Sequence, residues 1–337
     1  MNQPMPNVSP ELFFETANAY QKSAALKAAI DLDLFTALGE GASAIELAKL
    51  CQASDRGIRI LCDYLVINGF LQKDGETYRP TADSAFFLSK NSPAYIAGAV
   101  EFLNSSMMMA GFENLAEAVR KGGTVIPEEG ALAPEHPMWL TFARAMAPIT
   151  MLPAQQMAKL AGFPQDAPIR VLDIAAGHGM FGITFGRHYP NAQIHAVDWP
   201  NVLELARANA ESAGLANRYH TVPGSAFDVE FGIDYDVALI TNFLHHFDAK
   251  TCVSFLKRIF SSLKPEGRAF TLEMIPNEDR VTPKLEASFS LIMLANTPAG
   301  DAYTFRELEE MHLDAGFARC TQHKLPPTIQ SVVLSEK

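Results

Sequence analysis

The chain has 337 residues, 48% of them hydrophobic and 19% charged, which is typical of a globular protein with room for two domains. Its formal net charge of −11 argues against a nucleic-acid partner, because neutralising phosphates requires a basic surface. The four cysteines form no Cys-x-x-Cys pair, the first ten residues lack a signal pattern, and no apolar run approaches the roughly 18 residues of a membrane span. We therefore expect reduced cysteines, no membrane contact and a cytoplasmic location.

The first predicted element is a long helix over residues 11–30. Ser9 and Pro10 are typical of a helix start, a capping side chain followed by proline. The segment is rich in alanine and apolar over more than one stripe. Because such a helix is usually buried on two sides, we expect it to form part of a subunit interface.

Two short helices and a hairpin follow. Ser43 and Glu46 form a capping-box pattern for a helix that continues to Cys51, and Ser54 begins a second helix over residues 55–70. An Asp-Gly pair then lies between two short segments, which predicts a hairpin. This order of elements predicts a winged helix.

A winged helix raises DNA binding as an alternative to a structural or dimerising role. The second helix carries Arg56 and Arg59, but Asp55 and Asp63 balance them, and the hairpin is close to neutral. Since DNA affinity comes largely from contacts between cations and phosphates, the composition favours the structural role.

The middle of the chain is predicted to be helical over residues 95–118, 138–146 and 149–161, and it is rich in methionine and aromatic residues. Such side chains adapt to irregular shapes, so they can line an apolar substrate pocket or simply pack between domains. Both interpretations remain open at this point. The candidates for acceptor contact in this region are Phe102, Met107, Trp139, Phe142 and Met146.

The strongest motif runs from an apolar strand at residues 169–174 through a turn of small residues into a helix at 180–188. Small residues allow a ligand to approach the backbone, and the start of the helix offers free N–H groups. A second strand ends in Asp198, 25 residues after Asp173, where an acidic side chain can accept hydrogen bonds from ribose hydroxyls. The alternative is a turn whose small residues are incidental.

The order of acid and glycine indicates which nucleoside is bound. Asp173 precedes Gly177 and Gly179, and an acid at the end of the strand would repel a pyrophosphate but suit a cation. The adenosyl sulfonium S-adenosylmethionine (SAM) carries an ammonium group and no phosphate. The motif therefore predicts a SAM site rather than a dinucleotide site.

Strands and helices alternate over the rest of the chain, which predicts a doubly wound α/β sheet. The predicted strands cover residues 219–222, 235–240, 268–275, 319–323 and 330–334. After the first of them, Ser225 could bond an adenine ring and Phe227 could lie against it, although an ordinary turn explains the same residues.

Two histidines, His245 and His246, directly follow the fourth strand of this domain. A neutral imidazole beside the cofactor can take the proton of a phenol or enol hydroxyl during methylation. Glu273, near the end of the next strand, could bond the imidazole N–H and fix its tautomer. Structural roles are the alternative. Two residues on the helix that follows are also expected to face the pocket, Phe289 and Met293.

With these residues in place, the chain resembles the SAM-dependent O-methyltransferases typified by plant caffeate and isoflavone enzymes, acetylserotonin methyltransferases and bacterial polyketide enzymes. The resemblance covers nearly the whole chain. Its most specific segments are residues 171–179, 198–202, 242–248, 263–267, 293–298 and 315–317. It implies a doubly wound, Rossmann-like α/β methyltransferase domain, preceded by a winged-helix dimerisation domain that is all-helical apart from its hairpin. The implied domains are 1–100 for dimerisation, 101–165 for a helical connector to the substrate pocket and 166–337 for SAM binding.

The resemblance also implies roles for single positions. Carried over one by one, the cofactor contacts are Asp173, Gly177 and Gly179 on the methionine side, Asp198 at the ribose, and Trp199, Ser225 and Ala226 beside the adenine. His245 falls on the general base, and Glu273 on the first of two glutamates that bracket it. Phe243 and His246 join the residues expected to line the acceptor pocket.

Several positions depart from the family pattern. Ala175 and Ala176 replace glycines in the turn. His246 stands where the family often has Asp, Ala302 where it has the second glutamate, and Thr241 where plant enzymes have Lys. The expected protein is a homodimer that methylates a hydroxyl of a small aromatic or apolar acceptor without a metal and converts SAM to S-adenosylhomocysteine. The alternatives are a relative that methylates carbon or nitrogen, and a winged-helix ligand-sensing regulator.

Overall fold

The computed structural model describes residues 8–126 and 138–337, and the chain divides into two compact units, Met1–Ser105 and Ser106–Lys337. Each unit has its own hydrophobic core. Residues 106–165 of the predicted connector fall within the second unit. In the described part of the chain, every helix is too short or too polar to cross a membrane.

The first unit combines helices with a small antiparallel sheet. Its helices are α1 (Glu11–Ala17), α2 (Tyr20–Asp31), α3 (Leu34–Ala37), α4 (Ala44–Leu50), α5 (Asp55–Ile67), α6 (Ala82–Phe87) and α7 (Val100–Leu103). Its strands, in the order β1-β3-β2, are β1 (Ala42–Ser43), β2 (Leu71–Asp74) and β3 (Thr77–Pro80). The predicted hairpin is present, and residues 42–43 add a third strand that is too short to leave a pattern in the sequence.

Capping side chains set helix limits in this unit. Ser43 and Glu46 form the predicted capping box at the start of α4, each side chain accepting from the other's backbone amide. Ser54 Oγ accepts from the amide of Gly57 and begins α5. The first residues of α4 and α5 were predictable because the capping side chains lie within four residues of where each helix begins.

The helix predicted over residues 11–30 is two helices. The side-chain Nδ2 of Asn18 donates to the carbonyl of Phe14 (2.9 Å), and α1 ends there. No residue of α1 is buried, and its large apolar side chains are exposed: Leu12, Phe13 and Phe14. An exposed apolar face of this kind is what the predicted subunit interface requires.

The charges of the winged-helix elements pair with one another. Asp63 on α5 accepts from Arg59 of the same helix (2.8 Å), and from Lys73 and the Tyr78 hydroxyl of the hairpin (2.7 Å each). The bonds from Lys73 and Tyr78 hold the pKa of the Asp63 carboxyl below its usual range. Two cations that DNA binding would use are thus engaged within the unit, which agrees with the structural role.

The second unit is built on a seven-stranded sheet. Its strands are β4 (Arg170–Ile174), β5 (Gln193–Asp198), β6 (Tyr219–Pro223), β7 (Tyr235–Thr241), β8 (Leu263–Glu273), β9 (Arg319–Lys324) and β10 (Ser331–Glu336). Its helices are α8 (Ser106–Glu113), α9 (Leu115–Lys121), α10 (Met138–Leu160), α11 (Met180–His188), α12 (Pro200–Ser212), α13 (Ala249–Ser262), α14 (Lys284–Asn296) and α15 (Phe305–Ala315).

The strand order is β6-β5-β4-β7-β8-β10-β9, and β10 runs antiparallel to both its neighbours. The five strands from β6 to β8 are parallel, so their carboxyl ends meet at one edge. Separate apolar clusters cover the two faces of the sheet. The predicted doubly wound α/β fold is confirmed. The residues that end the parallel strands at this edge are Ile174, Asp198, Pro223, Thr241 and Glu273.

The three helices predicted in the middle of the chain differ from the observed ones. The helix predicted over residues 95–118 is broken into shorter segments. The two helices predicted at 138–146 and 149–161 form the single helix α10, with Pro148 and Pro153 inside it. Proline removes one helical hydrogen bond, but α10 packs along α11, and tertiary packing keeps the helix continuous.

Candidate active site

The turn between β4 and α11 is joined to the end of β5. Ala175, Gly177 and Gly179 have φ values of 49°, 57° and 75°, so the backbone reverses tightly at the edge of the sheet. Asp198 Oδ2 accepts from the amide of Gly177 (2.8 Å), and its Oδ1 accepts from the amide of Trp199 (2.7 Å). Burial raises the pKa of the Asp198 carboxyl to about 6. The acid predicted at the ribose therefore lies against the turn, held by two backbone donors.

Asp173 lies behind the same turn and is completely buried. Its Oδ2 accepts from the amide of Gly182 (2.9 Å), whereas no described residue donates to Oδ1. Burial, reinforced by the nearby Asp198, raises the pKa of Asp173 well above its usual range. A buried carboxyl oxygen without a donor is costly to keep charged, so a cation near this turn would be stabilised.

The turn offers no positive charge of its own. Residues 171–186 contain no Lys or Arg, and burial lowers the pKa of His178 to about 4, so its imidazole is neutral at pH 7. Its Nδ1 accepts from the amide of Met180 (3.0 Å), which fixes the ring at the start of α11. An acidic turn without cations fits a positively charged nucleoside and does not fit a pyrophosphate.

The loop after β6 is held by Arg258 on α13, a residue that the sequence did not single out. Arg258 donates to the carbonyls of Ala226 (2.7 Å) and Val229 (2.6 Å). Within the loop, Ser225 Oγ accepts from the amide of Phe227 (3.1 Å). These bonds fix the backbone predicted to lie beside the adenine. No local signal marks Arg258, because its partners lie 32 and 29 residues earlier in the chain.

Phe227 packs into a cluster of phenylalanine rings. Its ring centroid lies 5.9 Å from Phe243, 4.9 Å from Phe247 and 5.4 Å from Phe255. Phe243, predicted to line the acceptor pocket, is thus part of the same cluster. The cluster joins the loop after β6 to the loop after β7.

The loop after β7 holds His245 against Glu273 at the end of β8. The two residues are 5% and 2% exposed. The Nδ1 of His245 donates to Glu273 Oε2 (2.5 Å), and Glu273 Oε1 accepts from the amides of Phe243 (3.1 Å) and Leu244 (2.9 Å). Because an ionised carboxylate can only accept, the proton lies on Nδ1 and Nε2 keeps a free electron pair. The pair therefore holds one tautomer of His245 that can take up a proton at Nε2.

His246 lies between His245 and Trp139 in a row of rings. Its centroid is 4.2 Å from that of His245 and 5.8 Å from that of Trp139. Phe289 extends the row beyond His245 (4.9 Å), and Phe142 extends it beyond Trp139 (5.9 Å). The structure thus brings four residues predicted for the acceptor pocket together with the predicted base.

The other predicted pocket residues lie outside the row of rings described above. Met293 is buried on α14, and Met107 lies on α8, which packs against α14. Met146 is partly buried on α10, and Phe102 is buried in the first unit. For these four, as for the five residues described above, contact with an acceptor stays a prediction. Among the described side chains, no group of three or more His, Cys, Asp or Glu is arranged to hold a metal ion.

The position expected for a second glutamate holds Ala302, which is buried. The amide of the neighbouring Asp301 donates to the carbonyl of His245 (3.0 Å). Gly300 lies so close that a Cβ there would be 2.2 Å from the same carbonyl oxygen. This segment therefore supports the backbone of His245, while Glu273 bonds its ring.

Two family models match the chain. Residues 112–318 match the O-methyltransferase domain, and residues 14–90 match the O-methyltransferase dimerisation domain. Together they cover the five parallel strands β4 to β8, the row of rings and most of the first unit.

The chain is also similar to individual proteins. A 3-hydroxy-5-methyl-1-naphthoate 3-O-methyltransferase of Streptomyces sahachiroi is 28% identical over 314 residues, which cover 91% of this chain and 89% of that protein. The crystal structure of a candidate O-methyltransferase of Nostoc punctiforme is 52% identical, has a TM-score of 0.95, and covers 98% of this chain and 100% of its own. Human N-acetylserotonin methyltransferase in complex with SAM is 23% identical with a TM-score of 0.83, covering 99% of each chain, and so shares the fold.

Proposed function

This chain belongs to the O-methyltransferase family and is a methyltransferase, and from this premise we propose that it methylates a hydroxyl of a small aromatic or apolar acceptor with SAM as donor and His245 as general base. The observation that carries the proposal is the contact of His245 Nδ1 with Glu273, which leaves Nε2 able to accept a proton. The contact lies at the same edge of the sheet as the turn after β4.

The proposed cofactor contacts follow from the charges around the turn. SAM, when bound, supplies its methyl group as an electrophilic carbon on a sulfonium. Asp198 accepts hydrogen bonds from the ribose hydroxyls, Gly177 and Gly179 admit the amino-acid end to the backbone, and Asp173 favours positive charge nearby. On the adenine side we place Trp199, Ser225, Ala226 and Phe227.

His245 removes the proton of the acceptor hydroxyl as the oxygen becomes nucleophilic. A positioned base contributes about 10²–10⁴-fold to such a step. Glu273 stabilises the imidazolium that forms, because its carboxylate already accepts from Nδ1. The remaining acceleration comes from holding the two reactants in line.

A homodimer is part of the proposal. The dimerisation-domain match over residues 14–90 and the exposed apolar face of α1 support it. The acceptor side is supported by the row of rings beside His245, which offers an apolar wall to a flat molecule.

Calorimetric titration with SAM, S-adenosylhomocysteine and NAD tests the cofactor. We expect binding of the two sulfur compounds but not of NAD, and loss of this binding in Asp198→Ala. Failure of both sulfur compounds to bind would contradict the proposed cofactor.

Product analysis tests the reaction. Incubation with methyl-labelled SAM and a panel of phenols, followed by mass spectrometry and NMR of the product, should show a new methoxy group. His245→Ala should lower turnover while the affinity for S-adenosylhomocysteine stays unchanged. A methyl group found on carbon or nitrogen would replace the proposed reaction with the corresponding alternative.

A further inference from the structure

Trp139 carries a buried donor without an acceptor. Its indole Nε1 is shielded from solvent and makes no hydrogen bond to any residue of the described ranges. The residue as a whole is only partly buried. Because a buried N–H that has lost water without gaining a partner is unfavourable, a ligand that brings an acceptor is stabilised here.

The ring of Trp139 is held in place by its neighbours. It stands edge-on to His246 (5.8 Å, 70°) and to Phe142 (5.9 Å, 86°). Edge-to-face packing of this kind restricts rotation of the indole. The donor therefore has a fixed position relative to the row of rings.

The row relates this donor to the proposed base. His246 lies between Trp139 and His245, so the two outer rings are one imidazole apart. An acceptor long enough to span the His246 ring can contact both His245 and Trp139. A second oxygen on that acceptor would accept a hydrogen bond from Trp139 Nε1.

The charges along the row favour an uncharged oxygen. His246 Nδ1 donates to the carbonyl of Phe243 (3.2 Å). Burial, reinforced by His245, lowers the pKa of His246 well below its usual range, so this ring is neutral. A neutral imidazole and an indole offer no full positive charge to balance a carboxylate, whereas a carbonyl oxygen needs only the N–H.

We propose that the acceptor is a hydroxyaromatic compound that also carries an uncharged carbonyl group, and that Trp139 Nε1 donates to this carbonyl oxygen. This inference rests on the proposed function, since it places the hydroxyl at His245. Trp139 is then a specificity-determining residue in addition to a part of the apolar wall.

Matched pairs of probes test the inference. The pairs are 3'-hydroxyacetophenone with 3-ethylphenol, and 6-acetyl-2-naphthol with 6-ethyl-2-naphthol. Within a pair, the ring system and the position of the hydroxyl are the same, and only one member has the carbonyl oxygen. For at least one pair, we expect the carbonyl compound to have a kcat/KM about fivefold higher, the effect of one net hydrogen bond.

Two variants separate the donor from the ring. Trp139→Phe keeps an aromatic ring without the N–H, and it should abolish the preference for the carbonyl member. Phe142→Leu alters the adjacent ring and should change both members of a pair alike. A preference that survives in Trp139→Phe, or that is absent from the wild-type enzyme in both pairs, overturns the inference.

A binding measurement gives a readout that is independent of turnover. The chain has two tryptophans, Trp139 and Trp199, so a spectrum of protein labelled with ¹⁵N-tryptophan contains two indole N–H signals, assigned with Trp139→Phe. S-adenosylhomocysteine alone should move the Trp199 signal, and its failure to do so counts against the proposed function. With that compound present, the carbonyl probes should move the Trp139 signal downfield and the ethyl probes should not. If neither carbonyl probe shifts the Trp139 signal, or if carbonyl and ethyl probes shift it equally, this inference is wrong, while the proposed function is unaffected.

Discussion

The hydroxyl of Tyr219 occupies the space that a side chain at Gly179 would need. A Cβ at position 179 would lie 2.5 Å from this hydroxyl and 3.1 Å from the Cβ of Ala206. The hydroxyl is buried and has no hydrogen-bond partner among the residues described. The last residue of the turn before α11 is thus fixed by a contact with β6, in addition to its own φ of 75°.

Gly179→Ala should therefore weaken the binding of S-adenosylhomocysteine about tenfold, because the turn has to move away from Tyr219 and from its positive φ. Calorimetric titration measures this loss. The double variant with Tyr219→Phe removes the close contact and should recover part of the affinity, while Tyr219→Phe alone should bind normally. A double variant that binds no better than Gly179→Ala would show that the contact is not the cause.

Asp198 should make cofactor binding depend on pH. Its carboxyl has a pKa of about 6 in the unliganded protein, and the ionised form has more acceptor capacity for ribose hydroxyls. The affinity for S-adenosylhomocysteine should be constant above about pH 7 and fall by up to about tenfold per pH unit below about pH 6. Titrations across this range check the slope. Asp198→Asn should bind S-adenosylhomocysteine weakly at every pH. If its affinity falls with pH as steeply as that of the wild type, another group causes the pH dependence.

The same carboxyl has the opposite effect on the stability of the unliganded protein. Its pKa is higher in the folded chain than the ordinary 3.8, so the folded state binds more protons than the unfolded state between about pH 4 and about pH 6. The contribution of Asp198 to the free energy of unfolding should therefore fall as the pH rises through this window. Denaturant unfolding of the wild type and of Asp198→Asn at both ends of the window tests this. The free energy of unfolding of Asp198→Asn, relative to that of the wild type, should rise from the lower pH to the higher.

Glu273→Gln should lower kcat about 10²–10⁴-fold with little change in the affinity for S-adenosylhomocysteine. The amide replaces one carboxylate oxygen by a donor, which then faces either His245 Nδ1 or the amides of Phe243 and Leu244. Single-turnover methylation measures the loss. Asp301→Asn is the matched control, because only the backbone amide of Asp301 bonds His245, and it should stay close to wild type.

Arg258→Met should reduce the affinity for S-adenosylhomocysteine severalfold and leave the KM of the acceptor unchanged. The variant loses the two donors that hold the carbonyls of Ala226 and Val229. If the loop contacts adenine, the preference for S-adenosylhomocysteine over its inosine analogue should also shrink. Arg306→Met removes an exposed arginine from α15 and serves as the control. Equal losses in both variants would rule out a specific role for Arg258.

Replacing Leu12 and Phe13 by glutamate should convert a dimer into a monomer. Both side chains are exposed on α1, and charges on an apolar contact surface oppose its burial. Sedimentation velocity measures the mass. Glu15→Gln, on the same helix, should leave the mass unchanged. A double variant that remains dimeric would move the interface away from α1.

Elements with local signals were predictable from the sequence. The limits of α11 match the predicted ones, because the small residues that end at Gly179 mark where the helix begins. The continuity of α10 was not predictable, since Pro148 is a reason to end a helix, whereas the packing of α10 against α11 and α12 leaves no local signal.

Some features of the candidate site were likewise predictable from the sequence, and others were not. The spacing from Asp173 to Asp198 and the two histidines after β7 are visible in the chain, and the family resemblance assigns them roles. The contacts of Arg258 with Ala226 and of Tyr219 with Gly179 are not visible, because they join residues 32 and 40 positions apart with no shared pattern. Their existence depends on how the strands are ordered in the sheet.

The strand that follows all others in the chain, β10, lies inside the sheet between β8 and β9. Ser331 pairs there with Glu273, the partner of His245. During synthesis, β8 leaves the ribosome about 60 residues ahead of this neighbour and stays an open edge until residues 331–336 emerge. Open edges invite pairing with other chains, so the nascent polypeptide passes through a stage at which shielding by chaperones favours a correct outcome.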